Sequence, residues 1–192
     1  MLVKKYHGTM IVFHWLIAIL MTMVIFFSLF YWSVKTFHLP FTKDTVFATF
    51  IGHETVGFFL LLATVVRICN SLSHRAERPR SINADHPLKH ALEKAVHLFL
   101  QYGVILLTLL GWATANAKGY ELRLFWQEWL TLPNLVELGD PKQAATNTIY
   151  QLLLQCHSVL AFAMMAVVLL HITAVMVHRF KGHNLLTRML WR

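Results

Sequence analysis

Apolar residues of the 192-residue chain gather in four long blocks separated by polar segments. The blocks run over residues 10–32, 46–69, 92–115 and 148–177. As a helix, each block is long enough to cross a hydrocarbon core, which takes about 20 residues. An amphipathic helix of a soluble protein would instead carry polar residues every three or four positions. The pattern predicts an all-α, integral membrane four-helix bundle that forms a single domain over residues 1–192.

The composition excludes two other classes of protein. Apolar residues make up 57% of the chain and charged residues 14%, and the mean hydropathy is +0.54. A soluble domain of this length needs more charged surface than that. An intrinsically disordered chain would need far fewer apolar residues. The composition therefore favours a multi-pass membrane protein.

The distribution of positive charge predicts how the bundle is oriented. Of the 17 Lys and Arg residues, 12 lie near the amino terminus, around the segment between the second and third blocks, or near the carboxyl terminus. Segments rich in Lys and Arg stay in the cytoplasm, so both termini are expected to be cytoplasmic. The net charge of +8 is thus a signal of topology and of contact with membrane lipid, and no nucleic-acid partner is expected. The segment 118–147 is expected to lie at the outer membrane interface, where it could form a lid.

Histidine is unusually frequent, with 12 residues in the chain. An ionisable side chain inside a bilayer costs roughly 2 kcal/mol or more unless it is paired or ligated. Each histidine within an apolar block therefore requires a partner. The histidines inside the blocks or at their margins are His14, His53, His97, His157, His171 and His178.

Four of these histidines are predicted to form two levels in the membrane. His14 lies about one turn from the cytoplasmic face, and His53 about two turns from the outer face. The last block enters from outside, so His157 matches the depth of His53 and His171 matches that of His14. The 14 residues from His157 to His171 rise about 21 Å and end about 40° short of four full turns, which leaves both side chains on one helix face. Two levels of paired imidazoles can hold two bis-histidine haems, which favour electron transfer over oxygen binding.

Three other interpretations of the histidines remain open. Each histidine could be a polar contact between helices, hydrogen-bonded to a hydroxyl or a backbone carbonyl. A zinc or copper ion could use the same residues, although each level offers too few ligands for a closed tetrahedral site. A cofactor-free transporter or scaffold could use the histidines as a proton relay, in which acidic residues within the membrane are expected to take part.

Short motifs follow one another in a set order along the whole chain. They are Lys5-Tyr6, His14-Trp15-Leu16, Ile51-Gly52-His53-Glu54, Val65-Val66-Arg67, His97 with Gly111, Cys156-His157, His171, His178-Arg179-Phe180 and Asn184-Leu185-Leu186-Thr187-Arg188-Met189. This order and spacing resembles the bacterial cytochrome b561 family, whose members are small four-helix membrane cytochromes with two haems. The closing motif is the most specific of the set.

The resemblance implies a function and a set of iron ligands. It implies two haem b groups in the bacterial inner membrane, with His53 and His157 as ligands of the outer haem and His14 and His171 as ligands of the inner one. Members of the family exchange electrons with the quinone pool, and one branch oxidises superoxide at the outer face and reduces ubiquinone. Other relatives are cytochrome b subunits that dock to a hydrogenase or dehydrogenase, so a redox protein is the alternative electron donor. Whether the chain is itself an enzyme depends on which donor it uses.

Four further residues have predicted supporting roles. His97 and His178 are expected to contact a quinone or a haem propionate, and each is also an alternative ligand of the inner iron. His178 is equally expected to be an interfacial histidine whose ring reaches the membrane surface. Arg67 is expected to bind a propionate through its guanidinium, or else to anchor its helix at the cytoplasmic face. Gly52 is expected to leave room for a cofactor.

The charge of the predicted outer segments bears on the superoxide hypothesis. Together with Glu54 near the outer end of the second block, those segments carry five basic and six acidic residues, a net charge of about −1 that does not by itself attract an anion. A local cluster around Lys118 and Arg123 is the expected exception.

Overall fold

Each of the four apolar blocks is helical in the computed structural model of the chain. The helices are α1 (Gly8–Thr36), α2 (Lys43–Ser73), α3 (Pro87–Lys118) and α4 (Thr148–Phe180). All four are long and apolar enough to cross a membrane, which confirms the predicted all-α membrane bundle. The structure describes residues 5–77, 79–81, 83–125, 127, 129–182 and 185–190. Asn184 of the closing motif lies outside these residues.

The helices extend beyond the apolar blocks because polar residues cap them in the flanking segments. The side chain of Thr42 accepts a hydrogen bond from the backbone of Thr45 and starts α2. Pro87 occupies the first turn of α3, where its missing N–H costs nothing, so this helix begins five residues before its apolar block. Asn147 caps α4 by accepting from the backbone of Tyr150. Gly119 ends α3 with a φ of +100°, a conformation that favours glycine.

The helices pack in chain order, with α1 against α2, α2 against α3, and α3 against α4. Both ends of the described chain meet at one end of the bundle. There the backbone N–H of Tyr6 donates to the carbonyl of Arg188, and the indole N–H of Trp15 donates to that of Met189 at 2.7 Å. We call this the terminal end, and we call the opposite end, which carries the connection 119–147, the loop end.

The best-buried core lies in the middle of the bundle. It consists of Met21, Leu60, Val104, Leu107 and Met164, so all four helices contribute. Four of these residues follow a histidine of their own helix by seven positions, which is two turns or about 10.5 Å. Met164 also precedes His171 by seven positions. The apolar core therefore separates two histidine levels, as the sequence predicts.

Much of the remaining apolar surface faces outward. On α4, for example, Phe162 is 62% exposed and Leu169 is 65% exposed. In water such a surface would be unstable, whereas lipid tails can cover it. The outward-facing side chains are thus those expected of helices surrounded by lipid.

The connection 119–147 folds back onto the loop end. Its organising residue is Asn116, which is fully buried. The Asn116 side chain donates to the carbonyl of Tyr120 and the side-chain oxygen of Asn134, and it accepts from the backbone of Leu135. Leu122 and Leu124 of the connection are buried. These contacts attach the predicted lid segment to the bundle.

Candidate haem-binding site

Two histidines from non-adjacent helices face each other towards the loop end. The ring centroids of His53 on α2 and His157 on α4 are 6.4 Å apart, and the ring planes are nearly perpendicular. A metal ion bonded to two imidazoles on opposite sides, at about 2 Å from each nitrogen, places the centroids about 6 Å apart. The separation in this loop-end pair therefore suits two axial ligands of one metal ion.

A hydrogen-bond chain orients the ring of His53. The Ser28 hydroxyl donates to the backbone carbonyl of Val24 at 2.9 Å, so its oxygen is free to accept from His53 Nδ1 at 3.0 Å. This assigns the proton of a neutral His53 to Nδ1 and leaves a lone pair on Nε2. Metal-binding histidines typically have this arrangement, in which the second ring nitrogen donates to a fixed acceptor.

His157 has the same tautomer for a different reason. Its Nδ1 lies 3.1 Å from the carbonyl oxygen of Leu107 on α3, which can only accept, so the proton belongs on Nδ1. Gly111, one turn further along α3, lets the ring approach. A Cβ at Gly111 would lie 2.9 Å from Cε1 of His157. Both members of the loop-end pair thus present Nε2 as a lone-pair donor.

A second histidine group lies towards the terminal end and has three members. The ring centroids of His97 on α3 and His171 on α4 are 5.4 Å apart. His14 on α1 is within electrostatic range of both, and of Arg67 on α2. This terminal-end group therefore draws one charged or ionisable side chain from each helix.

His97 has hydrogen bonding that also suits a metal ligand. Its Nδ1 lies 2.7 Å from the backbone carbonyl of Glu93, which leaves the lone pair on Nε2. His97 is exposed, whereas His14 and His171 are half-buried. The structure brings all three predicted residues together, and its geometry allows His97 to act either as a ligand or as a neighbour of the ligands.

The donor sets at the two levels fit haem better than a bare metal ion. A closed zinc site needs four protein ligands, commonly including thiolates or carboxylates. Within the described residues, the histidines inside the membrane belong to no group of three or more close ligand atoms. A haem iron needs only two axial ligands from the protein, and two neutral imidazoles supply them. The residues present therefore fit two bis-histidine haem sites.

The remaining predicted site residues lie near these two levels. Gly52 is buried beside His53, and a Cβ there would lie 3.1 Å from Cζ of Phe27, so in this structure the Phe27 ring occupies the space. His178 is half-buried two turns beyond His171 on α4. Arg67 is half-buried in the terminal-end group.

The loop end also contains a cleft of about 700 Å³ beside the outer turns of α1 and α2. Its aromatic wall includes Phe50, which precedes His53 by three positions. Among the described residues that line it, three are lysines and none is acidic: Lys35, Lys43 and Lys118. The cleft is therefore a local site of positive charge close to the loop-end pair.

Sequence reasoning missed the residues that orient the loop-end pair. Ser28 and Leu107 act through contacts between helices, and neither stands out in the sequence. Gly111 belongs to a recognised motif, yet only the packing of His157 against α3 reveals its role. Lys35 and Lys43 lie in or beside the predicted outer segments, and the sequence alone does not predict that they converge with Lys118.

The fold and its histidine levels define a membrane electron-transfer protein of the b-type cytochrome class. The family model for prokaryotic cytochrome b561 matches residues 5–192, so the chain belongs to the prokaryotic cytochrome b561 family. It is accordingly a multi-pass membrane protein that uses haem b in electron transfer. No curated protein matched the chain in a sequence comparison.

Proposed function

We propose that the chain carries two haem b groups and transfers electrons between the loop end of the bundle and the quinone pool. His53 and His157 would hold one haem, and His14 and His171 the other. The observation that carries this proposal is the placement of imidazoles at two levels, with an apolar core between them. Iron held by two imidazoles would supply one-electron transfer and would leave no position open for oxygen.

The other site residues have supporting roles in this proposal. Arg67 would neutralise a propionate at the terminal end, where its positive charge is close to His14 and His171. His97 and His178 would contact a propionate or a quinone carbonyl, and Gly52 would let the Phe27 ring pack closely beside His53. Ubiquinone is the proposed electron acceptor. The terminal end would face the cytoplasm of a bacterium, with the protein in the inner membrane.

Superoxide is the proposed electron donor at the loop end. The cleft with Lys35, Lys43 and Lys118 would attract this anion to the side of the bundle that holds His53. Two superoxide anions release two electrons as they become oxygen, and one quinone takes up two electrons and two protons to become quinol. The cleft offsets the net charge of the outer segments, because an approaching anion responds to the local potential.

A docked hydrogenase or dehydrogenase is the second candidate donor. The exposed Trp129, with 78% of its surface accessible, is part of the connection that covers the loop end. Aromatic side chains of this kind are frequent at protein interfaces. In this case the protein would be an electron-transfer subunit and not an enzyme by itself.

The first experiment measures the haem content of the purified protein. A pyridine haemochrome assay and a reduced-minus-oxidised spectrum would be recorded for the wild type, His53→Ala and His171→Ala. We expect two haem b per wild-type chain and about half that content in each variant, because each loses one axial ligand. His86→Ala, at an exposed histidine outside both levels, is the control. A single haem in the wild type would contradict the two-haem proposal.

The second experiment distinguishes the two donors. Superoxide would be generated in the presence of the protein and ubiquinone, with superoxide dismutase added in a parallel sample. Replacing Lys35, Lys43 and Lys118 together by Gln should slow quinone reduction by about tenfold at low salt and remove most of the salt dependence. A rate of quinone reduction that is unchanged both by the substitutions and by the dismutase would exclude superoxide and favour a protein donor.

A further inference from the structure

A third histidine cluster lies outside both predicted haem levels, at the terminal end of the bundle. His7 immediately precedes α1, His74 immediately follows α2, and Glu77 lies in the short helical turn Arg75–Glu77. The antiparallel packing of α1 against α2 brings these three residues to one corner. One ligand atom of each residue lies within 4.8 Å of the other two. The two imidazole rings are stacked, with centroids 4.1 Å apart and an interplanar angle of 23°.

A single asparagine orients both imidazoles. Nδ1 of His74 lies 2.9 Å from the backbone carbonyl of Asn70, which can only accept, so His74 carries its proton on Nδ1. The Thr9 hydroxyl donates to the side-chain oxygen of Asn70 at 2.8 Å and can therefore accept from Nδ1 of His7 at 2.9 Å. The backbone N–H of Thr9 also donates to Nδ1 of His7, at 3.4 Å, so this nitrogen caps α1 and the tautomer of His7 depends on which of the two contacts it makes.

The result is a pair of imidazoles held in place beside a carboxylate, and His74 presents the lone pair of its Nε2. A fixed acceptor on Nδ1 is the usual outer partner of a metal-binding histidine, and His74 has one in the backbone carbonyl of Asn70. His7 and Glu77 are exposed and His74 is half-buried, so a metal ion can reach the cluster from solvent.

We propose that His7, His74 and Glu77 bind a divalent transition-metal ion, with zinc as the best match, that joins the start of α1 to the end of α2. Two imidazoles and one carboxylate form a common zinc donor set, and water completes the tetrahedron. Ligand atoms around tetrahedral zinc are about 3.3 Å apart, so small side-chain rotations from the present separations are sufficient. This site needs no haem and is independent of the electron donor.

The test measures zinc binding to the haem-loaded, full-length protein. The protein would be purified with a tag that contains no histidine, treated with EDTA, and titrated with zinc chloride in equilibrium dialysis with elemental analysis. We expect one zinc ion per chain, with at least tenfold weaker binding in His74→Gln and Glu77→Gln. His86→Gln, an exposed histidine at the same end of the bundle, is the matched control and should bind zinc like the wild type.

Three further tests check that a loss of zinc binding reflects the loss of the site and not of the fold. The haem spectrum of each variant reports whether the bundle remains folded, and a fall in zinc binding counts only where that spectrum is unchanged. Asn70→Ala should weaken zinc binding by about tenfold without removing a ligand, because it frees the orientation of His7. Zinc should also raise the melting temperature of the wild type but not that of Glu77→Gln. Equal zinc binding by the wild type and the cluster variants, or an equal loss in His86→Gln, would overturn the proposal.

Discussion

The two histidine levels differ in the number of histidines they contain and in how firmly hydrogen bonds orient the rings. At the loop end, His53 and His157 are the only pair of histidine rings in contact among the described residues, and each has a fixed hydrogen-bond acceptor on Nδ1. At the terminal end, three imidazoles and a guanidinium share one region. A level with two histidines leaves no choice of axial ligands, whereas a level with three allows alternatives. In the proposed two-haem arrangement, the loop end would serve ligation alone and the terminal end would also handle charge.

The largest expected effect is a loss of haem. It distinguishes the two levels when one imidazole is removed from each. We expect His157→Ala to lose the loop-end haem completely, because no other histidine of that level can replace it. At the terminal end, His97→Ala should retain both haems, while His14→Ala should lose one. The measurement is haem per chain by pyridine haemochrome. Loss of haem in His97→Ala together with full haem in His14→Ala would reverse the terminal-end assignment.

An added methyl group at Gly111 should disturb the loop end alone. In Gly111→Ala the new Cβ would lie 2.9 Å from the His157 ring, and the ring must move away from the Leu107 carbonyl. Such overpacking costs about 1 to 3 kcal/mol. We expect a lower melting temperature and partial loss of one haem. The matched control is Gly103→Ala on the same helix, where the Cβ meets the flexible end of Met164 and haem content should stay normal. Equal haem loss in both variants would contradict a specific role for Gly111.

The smallest effect tests the orientation of His53. Ser28→Ala removes the side-chain acceptor of the His53 ring and leaves only the backbone carbonyl of Val24, which makes the imidazole a weaker donor to iron. A weaker donor stabilises ferric iron less, so the reduction potential of one haem should rise while haem content is unchanged. A spectroelectrochemical titration measures this shift. Thr108→Val is the control, because the Thr108 hydroxyl bonds only to backbone carbonyls of its own helix. An unchanged potential in Ser28→Ala would show that the contact does not tune the iron.

Local patterns were sufficient to predict the helices and their approximate extents. The prediction of the third helix was the least accurate at its start, because polar residues continue the helix from Pro87 into the flanking segment. The family was also predicted from motif order, and the family comparison confirms it. The ligand assignment remains a prediction, although the structure brings His53 together with His157 and His171 together with His97.

The sequence by itself determined the four membrane helices and the two histidine levels. Both follow from local rules, namely the length needed to cross a bilayer and the fixed rise and rotation of an α-helix. Only the tertiary structure decided which groups accept a hydrogen bond from Nδ1 of His53 and of His157. Ser28 reaches His53 across 25 positions of the chain, and the carbonyl of Leu107 reaches His157 across 50. The corner of His7 and His74 likewise exists only because α1 and α2 pack side by side. Contacts of this kind depend on how helices pack against one another, which helical periodicity within one segment does not specify.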